Sequence, residues 1–453
     1  MQDSTYAPVG LEIAETPQCD IERLIDESPM SAFQTRIVFL GSLATFFDGY
    51  DLQALGLAIP GMAADFGIAP TAFAPALSVS LVGVALGAMV FGPLADRAGR
   101  RPMLIAMMLI IAISTFGAML ASGPGVLVFW RLLTGLGIGG AVPIAVAMTA
   151  EYVPARRRAA LVTLMIACMA LGSFAAGILA PILEEYWGWR GIFGLGAIMP
   201  LVAAVALWLG YPESLRLLVL HGRKPAEAQR QLRLIAPSQA EAIPVVAAPA
   251  YTGRASVGAL LSPYYRRRTL LLWVIFWFNL FTAYSLIGWL PTLLQSAGWE
   301  HGTAQRTTGL LALGGIIGGI TIAWLADRGH ATVSLLCAYC CASLVLCLFV
   351  VGFESVAVWL VLLSLAGIGI FGGQMALSSI AAAFYYPPEL CSTGVGWYNG
   401  VSRTGAIVGP LVIAALMDAD WASEFILGIL TIPMLICAGG VILLPGALRQ
   451  PKP

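Results

Sequence analysis

The sequence predicts an all-α membrane protein with twelve transmembrane helices arranged as two six-helix halves. Of its 453 residues, 59% are hydrophobic and 11% are charged, whereas roughly a quarter of the residues in a soluble domain are charged. A soluble protein of this composition would expose a large apolar surface to water. An ordinary cytosolic enzyme is therefore excluded. A β-barrel is disfavoured too, because barrel strands alternate in short segments and these apolar runs are long.

Twelve apolar stretches reach the length of about 20 residues that a helix needs to cross a bilayer. They are predicted at 36–58, 73–95, 103–122, 125–149, 159–183, 191–210, 270–294, 304–326, 332–352, 355–384, 393–416 and 423–446. The segment between the sixth and seventh stretches is rich in Arg, Glu and Gln, which predicts a hydrophilic linker with one or two short amphipathic helices. The predicted organisation is listed in order: an N-terminal tail 1–35, an N-terminal half 36–210, a linker 211–268, a C-terminal half 269–446 and a C-terminal tail 447–453.

The basic residues predict the orientation, because cytoplasmic connections of membrane proteins carry an excess of Lys and Arg. With a cytoplasmic N-terminus, 20 of the 24 Lys and Arg residues fall on the inner side, and only Arg190 and Arg306 fall in outer connections. Residues 1–34 are polar and acidic, unlike a signal peptide. We therefore expect a multi-pass protein of a bacterial inner membrane with both termini and the linker in the cytoplasm.

The two halves repeat short motifs at a nearly constant separation. Asp96 and Asp327 follow similar apolar residues and are 231 positions apart, and Tyr152 and Tyr386 are 234 apart. Parallel repeats of six helices with a site between them near the midplane are the plan of alternating-access carriers.

Several motifs resemble those of a known family. The loop Gly92–Pro102 (GPLADRAGRRP) and the segments Arg131–Gly139 and Glu151–Arg157 resemble signatures of the major facilitator superfamily. Asp48–Asp51 (DGYD), with Gly394–Pro410, resembles elements of its aromatic acid:proton symporter family. The resemblance implies the twelve-helix fold and import of an aromatic carboxylate, such as a hydroxybenzoate, together with protons.

Two carboxylates in the first span are candidates for proton coupling. A charged group near the bilayer centre costs roughly 2.5–3.5 kcal/mol on insertion scales, so it marks a functional site by default. Asp48 and Asp51 lie on one helix face, about 60° apart. Because two adjacent carboxylates in a low dielectric cannot both stay ionised cheaply, at least one is expected to bind a proton. The alternative is that they only bind neighbouring helices or an arginine.

Arg403 lies in the middle of the eleventh span, and we predict that it binds the substrate carboxylate with bidentate geometry. The alternative is a permanent ion pair with Asp48 or Asp51. Around an aromatic acid we expect flat rings and amide partners, and the candidates are Trp397, Tyr398, Asn399, Gln374, Tyr50 and Asn279.

The remaining charged residues are predicted to form a gate or to couple helices. Arg131 is expected either to link protonation to helix movement or to form a structural ion pair, and Glu151 is expected to form a network with Arg156–Arg158. The predicted inner gate pairs the two repeated loops and comprises Asp96, Arg97, Arg100, Arg101, Asp327, Arg328 and His330.

The sequence therefore predicts a proton symporter of an aromatic carboxylate, working by alternating access. We expect a monomer in the lipid bilayer that uses the proton gradient and needs no cofactor, metal or nucleic acid. An enzyme is disfavoured because three His residues leave little for catalysis. Two alternatives stay open: a proton symporter of another small organic acid or sugar acid, and a proton-coupled efflux antiporter.

Overall fold

The computed structural model describes residues 23–221, 225–237, 257–350, 356–381, 385–386 and 388–444, and within these ranges the chain is helical with short connections. The N-terminal half contains six long helices. They are α1 (Ala32–Phe66), α2 (Ala74–Ala98), α3 (Arg100–Met119), α4 (Pro124–Tyr152), α5 (Ala155–Trp187) and α6 (Trp189–Gly210). Short helices follow in the linker, namely α7 (Leu215–His221), α8 (Pro225–Ile235) and the single turn Val257–Leu260.

Among its described residues, the C-terminal half contains eight α-helical pieces, which make up six segments long and apolar enough to cross a membrane. They are α9 (Arg266–Ser296), α10 (His301–Leu325), α11 (Ala331–Leu348), α12 (Val356–Gly367), α13 (Gly373–Ile380), α14 (Pro388–Asp418), α15 (Ser423–Ile429) and α16 (Thr431–Leu443).

Two predicted spans are interrupted helices rather than continuous ones. The span predicted at 355–384 contains a π-helical turn, Ile368–Gly372, between α12 and α13. The span predicted at 423–446 breaks between α15 and α16. Pro433 lies four residues after Ile429, and its ring would clash with that carbonyl in a continuous helix.

In the part of the chain that the structure describes, eleven helical segments are long and apolar enough to cross a membrane. Of the long helices, α1 lies outside this set, because Asp48, Asp51 and Gln53 make it more polar; at 35 residues it is the longest helix in the described chain. Its first turn is fixed by a capping box, in which Ser31 Oγ accepts from Gln34 N and Gln34 Oε1 accepts from Ser31 N. Polar residues that are buried inside the bundle lower the mean hydropathy of α1, although they do not face lipid.

The start of α1 and the end of α16 lie on one side of the helix bundle, here called the terminal side. Gln34 in the first turn of α1 donates to Tyr152 O at the end of α4. Arg267, in the first turn of α9, donates to Leu443 O at the end of α16.

The two halves meet on the side opposite to the terminal side, here called the opposite side. A Cβ atom at Gly177 of α5 would lie 2.6 Å from Gly309 Cα of α10, so the two backbones approach as closely as glycine allows. Ser78 near the start of α2 donates to Ile407 O of α14 at 3.0 Å. The hydrogen bonds described between the two halves all lie on the opposite side. The interface is thus sealed on the opposite side.

Candidate functional site

A buried ion pair lies in the middle of the N-terminal half. Arg131 of α4 donates through Nη1 to Asp51 Oδ2 of α1 at 2.9 Å, and both side chains are almost completely buried, at 1% and 0% exposure. Thr115 of α3 donates to Asp51 Oδ1 at 3.0 Å, and Arg131 Nε donates to Ser80 Oγ at 3.1 Å. Four helices therefore hold this pair, and each charge has hydrogen-bond partners that offset its burial.

Asp48 lies one turn before Asp51 and has a different environment. It is 3% exposed, and its Oδ1 atom is buried without a hydrogen-bond partner. Asp48 lies within electrostatic range of both Asp51 and Arg403. A buried carboxylate oxygen without a partner is costly, and this distinguishes Asp48 from the paired Asp51.

Arg403 of α14 faces the N-terminal half across the interface. It is half-buried and lies near the Tyr284 side chain of α9 and near Asp48. None of the described carboxylates lies within ion-pair distance of its guanidinium. Tyr284 also lines a small pocket, about the size of a water molecule, together with Ser80 and Arg131.

A small apolar cluster joins the two halves beside this region. Leu81 of α2, Leu280 of α9 and Ala406 of α14 form a buried cluster, against which Leu52 and Ile407 pack.

The predicted substrate residues fall into two groups. Tyr50 is fully buried and donates to Ile192 O of α6 at 3.1 Å, and Tyr398 stacks on Phe276 with ring centroids 4.0 Å apart. Both rings pack inside their own half, so the structure does not bring them together with Arg403.

The other predicted substrate residues are more accessible or incompletely bonded. Asn399 is exposed one turn before Arg403, Gln374 is half-buried, and Trp397 is 43% exposed and stacks on Trp273. Asn279 is buried and donates to Ile370 O in the π-helical turn at 3.1 Å, while its Oδ1 atom has no partner.

On the terminal side, Glu151 does not bind the arginines predicted for it, so that prediction is wrong. Its carboxylate is bound by Arg100 of α3 and by Ser214 Oγ at 2.6 Å, rather than by Arg156–Arg158. The reason is that α5 starts beyond a turn at Pro154, whereas the first turn of α3 faces the end of α4. Burial, followed by the charge of Glu151, raises the pKa of the nearby Tyr211 hydroxyl.

The contacts described for the predicted gate residues stay within one half each. Asp96 accepts from Arg100 Nη2 at 3.1 Å, Arg101 donates to Trp208 O, and Arg97 is exposed. In the other half, Arg328 lies 3.6 Å from the centre of the Trp324 ring and His330 is exposed. The Asp327 side chain lies outside the described residues. A gate that pairs the two loops across the halves stays a prediction.

Sequence reasoning missed several polar residues. Glu213, just after α6, accepts from the backbone N atoms of Arg100 and Arg101 at 2.8 and 3.2 Å and so caps α3. Glu184 and Gln305 contact each other across the halves. Glu184 directly follows the predicted span 159–183, where charged residues are ordinary, so the sequence carries no signal for this contact.

The comparisons with known proteins decide the family. The family model described as Major Facilitator Superfamily matches residues 41–410 and, in a second match, 308–453. The chain belongs to the major facilitator superfamily. The resemblance stated from the motifs is confirmed, and so is the prediction of a transporter rather than an enzyme.

Relatives within the superfamily cover nearly the whole chain. A 4-hydroxybenzoate transporter of Pseudomonas aeruginosa is 34% identical over 94% of this chain and 95% of its own length. A gallate transporter of Pseudomonas putida is 32% identical over 92% and 93%. Among solved structures, the xylose transporter XylE from E. coli, in a partially occluded inward-open conformation, has a TM-score of 0.71. Its sequence is 14% identical to this chain, and the match covers 93% of this chain and 100% of the XylE chain. This likeness establishes the fold.

Proposed function

We propose that this superfamily member is a proton-coupled symporter that imports an aromatic carboxylate by alternating access. The observation that carries the proposal is the contrast between two neighbouring carboxylates. Asp51 is neutralised by Arg131, whereas Asp48 keeps a buried oxygen without a partner and faces the charge of Arg403 across the interface. A protonatable group and a cation near the interface between two halves can bind a proton and an anion together.

Two observations support an aromatic acid as the substrate. The relatives include a 4-hydroxybenzoate transporter and a gallate transporter, whose named substrates are aromatic carboxylates. Arg403, with no ion-pair partner among the described carboxylates, offers a bidentate site for such an anion. Asn399 lies one turn away on the same helix face and supplies a partner for a ring hydroxyl.

The distribution of Lys and Arg supports an orientation with both termini in the cytoplasm of a bacterial inner membrane. In that orientation the twelve predicted crossings, α1 included, place the terminal side inside the cell, and the seal described above makes this conformation inward-facing. We propose that the protein acts as a monomer, with the proton gradient as its energy source and without a cofactor.

The coupling follows from charge and burial. A monovalent anion that enters a cell with a negative interior works against roughly 2.3 kcal/mol per 100 mV, and one proton cancels its charge. In the outward-facing state Asp48 takes the proton and Arg403 takes the carboxylate, which removes both unpaired charges before the halves rock. On the inner side, water access to Asp48 and Arg403 allows both to be released.

The test is uptake by purified protein in proteoliposomes with an imposed pH gradient, acidic outside. Labelled 4-hydroxybenzoate should accumulate, and benzoate and gallate should compete where a sugar acid such as gluconate does not. Accumulation of gluconate instead would point to the other class of acid, and export driven by the same gradient would point to an antiporter. Either result would overturn the proposal.

A further inference from the structure

A polar cluster connects the two halves on the opposite side, outside the substrate region. His301 Nε2 and Glu184 Oε2 lie 2.6 Å apart, and Gln305 Nε2 donates to the same carboxylate oxygen at 2.6 Å. Gln305 Nε2 also lies 3.2 Å from Leu57 O of α1. Because Glu184 and Leu57 belong to the N-terminal half and His301 and Gln305 to the C-terminal half, every one of these contacts crosses the interface. We call these four residues the latch.

The surroundings of the latch fit a contact that forms only when the halves meet. Gln305 is fully buried, the Glu184 side chain is 14% exposed, and that of His301 is 39% exposed. A side chain larger than hydrogen at Gly61 would overlap the Glu184 carboxylate. Pro60 lies inside α1 and interrupts the helical hydrogen bonds of this turn, next to the carbonyl that Gln305 reaches.

The other ionisable groups around the latch have their own partners or are solvated. On α1 and α6, Asp65 and Arg190 pair at 2.9 Å, and Trp189 Nε1 donates to Asp65. On the elements that carry the latch, Glu185 and Arg306 are exposed, and Glu300 accepts from Thr303 Oγ1. Among the described residues, Glu184 is the carboxylate that contacts His301.

We propose that the latch is a pH-sensitive lock on the opposite side, which holds the pathway closed there more tightly when His301 is protonated. The proposal depends on alternating access in the proposed function but not on the identity of the substrate.

The direction of the effect follows from charge. His is the side chain whose charge changes between pH 5 and 8. Protonated His301 forms a charge-assisted hydrogen bond with the Glu184 carboxylate, whereas neutral His301 forms only an ordinary one. Acid conditions therefore favour the closed opposite side, and alkaline conditions leave the contacts of Gln305 with an ordinary hydrogen bond from neutral His301. Opening of that side separates His301 from Glu184 and exposes both to water.

The test measures how often the opposite side opens, with Ser78 as the reporter position. Ser78 is buried in the seal and bonded to Ile407 O, so the S78C thiol can be alkylated by a maleimide only when the halves separate. The labelling rate is measured by mass spectrometry in nanodiscs, with equal pH on both faces, at pH 6 and pH 8. Rates are compared between variants at the same pH, which cancels the intrinsic pH dependence of thiol reactivity.

The S78C parent is compared with two variants that each remove one partner and with one control. E184Q and H301Q should each raise the labelling rate at pH 6 by about tenfold, the order expected when a charge-assisted hydrogen bond is lost. At pH 8 the H301Q effect should fall to about twofold or less, because neutral His301 contributes little. D65N, which breaks an ion pair within one half, should leave the rate unchanged.

A cross-link supplies a check that the reporter senses this interface. A Cβ atom at Gly302 would lie 3.5 Å from Pro181 Cβ, within the range of a disulfide, so oxidised P181C/G302C should abolish labelling of S78C. Equal labelling of the parent and E184Q at both pH values would overturn the latch. An H301Q effect of the same size at pH 6 and pH 8 would overturn its pH sensitivity. The experiment contains no substrate, so a wrong substrate assignment leaves its result unchanged.

Discussion

Arg131 and Asp51 form an ion pair that is almost completely excluded from solvent and joins α4 to α1. Asp51 lies one turn from Asp48, the carboxylate with an unpartnered buried oxygen. The pair fixes the helix that carries Asp48 relative to the rest of its half, so any change of charge at Asp48 acts on a rigid N-terminal unit.

Removal of one partner of this pair should be costly. We expect R131M to lower the free energy of unfolding by about 3–5 kcal/mol, because it leaves the Asp51 charge buried and uncompensated. The double variant D51L/R131M should recover most of that stability and still fail to transport. Thermal unfolding of purified protein, followed by uptake, measures both effects. If R131M were as stable as D65N, which breaks the exposed pair with Arg190, the buried pair would not have the importance assigned to it.

Replacement of Arg403 should weaken substrate binding more than it affects folding. We expect R403Q to raise KM for an aromatic carboxylate at least about tenfold, because a bidentate charged contact is lost. R403K should show an intermediate defect, since an ammonium group keeps the charge but not the planar geometry. The exposed Arg306 provides the control R306Q, which should leave KM unchanged. An unaltered KM in R403Q would remove Arg403 from the binding site.

The face of α14 next to Arg403 should be reachable from the terminal side. N399C is expected to react with a membrane-impermeant maleimide applied to that side, and bound substrate should slow the reaction at least about threefold. V412C, exposed on the other face of the same helix, is the matched control and should show no protection. Substrate protection of V412C but not of N399C would place the pathway on the face of α14 that points away from Arg403.

Tyr50 should act in packing rather than in recognition. Because its hydroxyl donates to Ile192 O within the N-terminal half, Y50F should lower the free energy of unfolding by about 0.5–1.5 kcal/mol, the usual contribution of one hydrogen bond. KM should stay within about twofold of the wild-type value. A rise in KM without a change in the thermal midpoint would instead assign Tyr50 to the substrate.

Much of the fold could be predicted because each helix that crosses a membrane contains a local run of apolar residues. The ends of most helices lie within a few residues of the predicted ones, and the loop Gly92–Pro102 identified the superfamily. The breaks at Ile368–Gly372 and Leu430 were missed because an apolar run does not reveal a helix interruption. The long helix α1 is not among the segments apolar enough to cross a membrane, because its buried polar residues lower its mean hydropathy.

The site was predictable as a set of residue types but not as a set of contacts. Asp48, Asp51, Arg131 and Arg403 are unusual in apolar spans, so each could be identified from the sequence alone. Which carboxylate Arg131 binds depends on the packing of α1 against α4, and no local spacing encodes it. The latch was missed for the same reason, since Glu184 and His301 lie near span ends, where charged residues are ordinary.

The most direct test of the central claim is simultaneous measurement of proton and substrate movement by D48N in proteoliposomes. Wild-type protein should accumulate 4-hydroxybenzoate against its gradient when the outside is acidified, with protons entering alongside it. D48N should keep exchange of labelled for unlabelled substrate but lose accumulation and proton entry, because the amide cannot carry the proton. The exposed variant D418N is the control and should behave as wild type. Concentrative, proton-linked uptake by D48N at the wild-type rate would contradict the account.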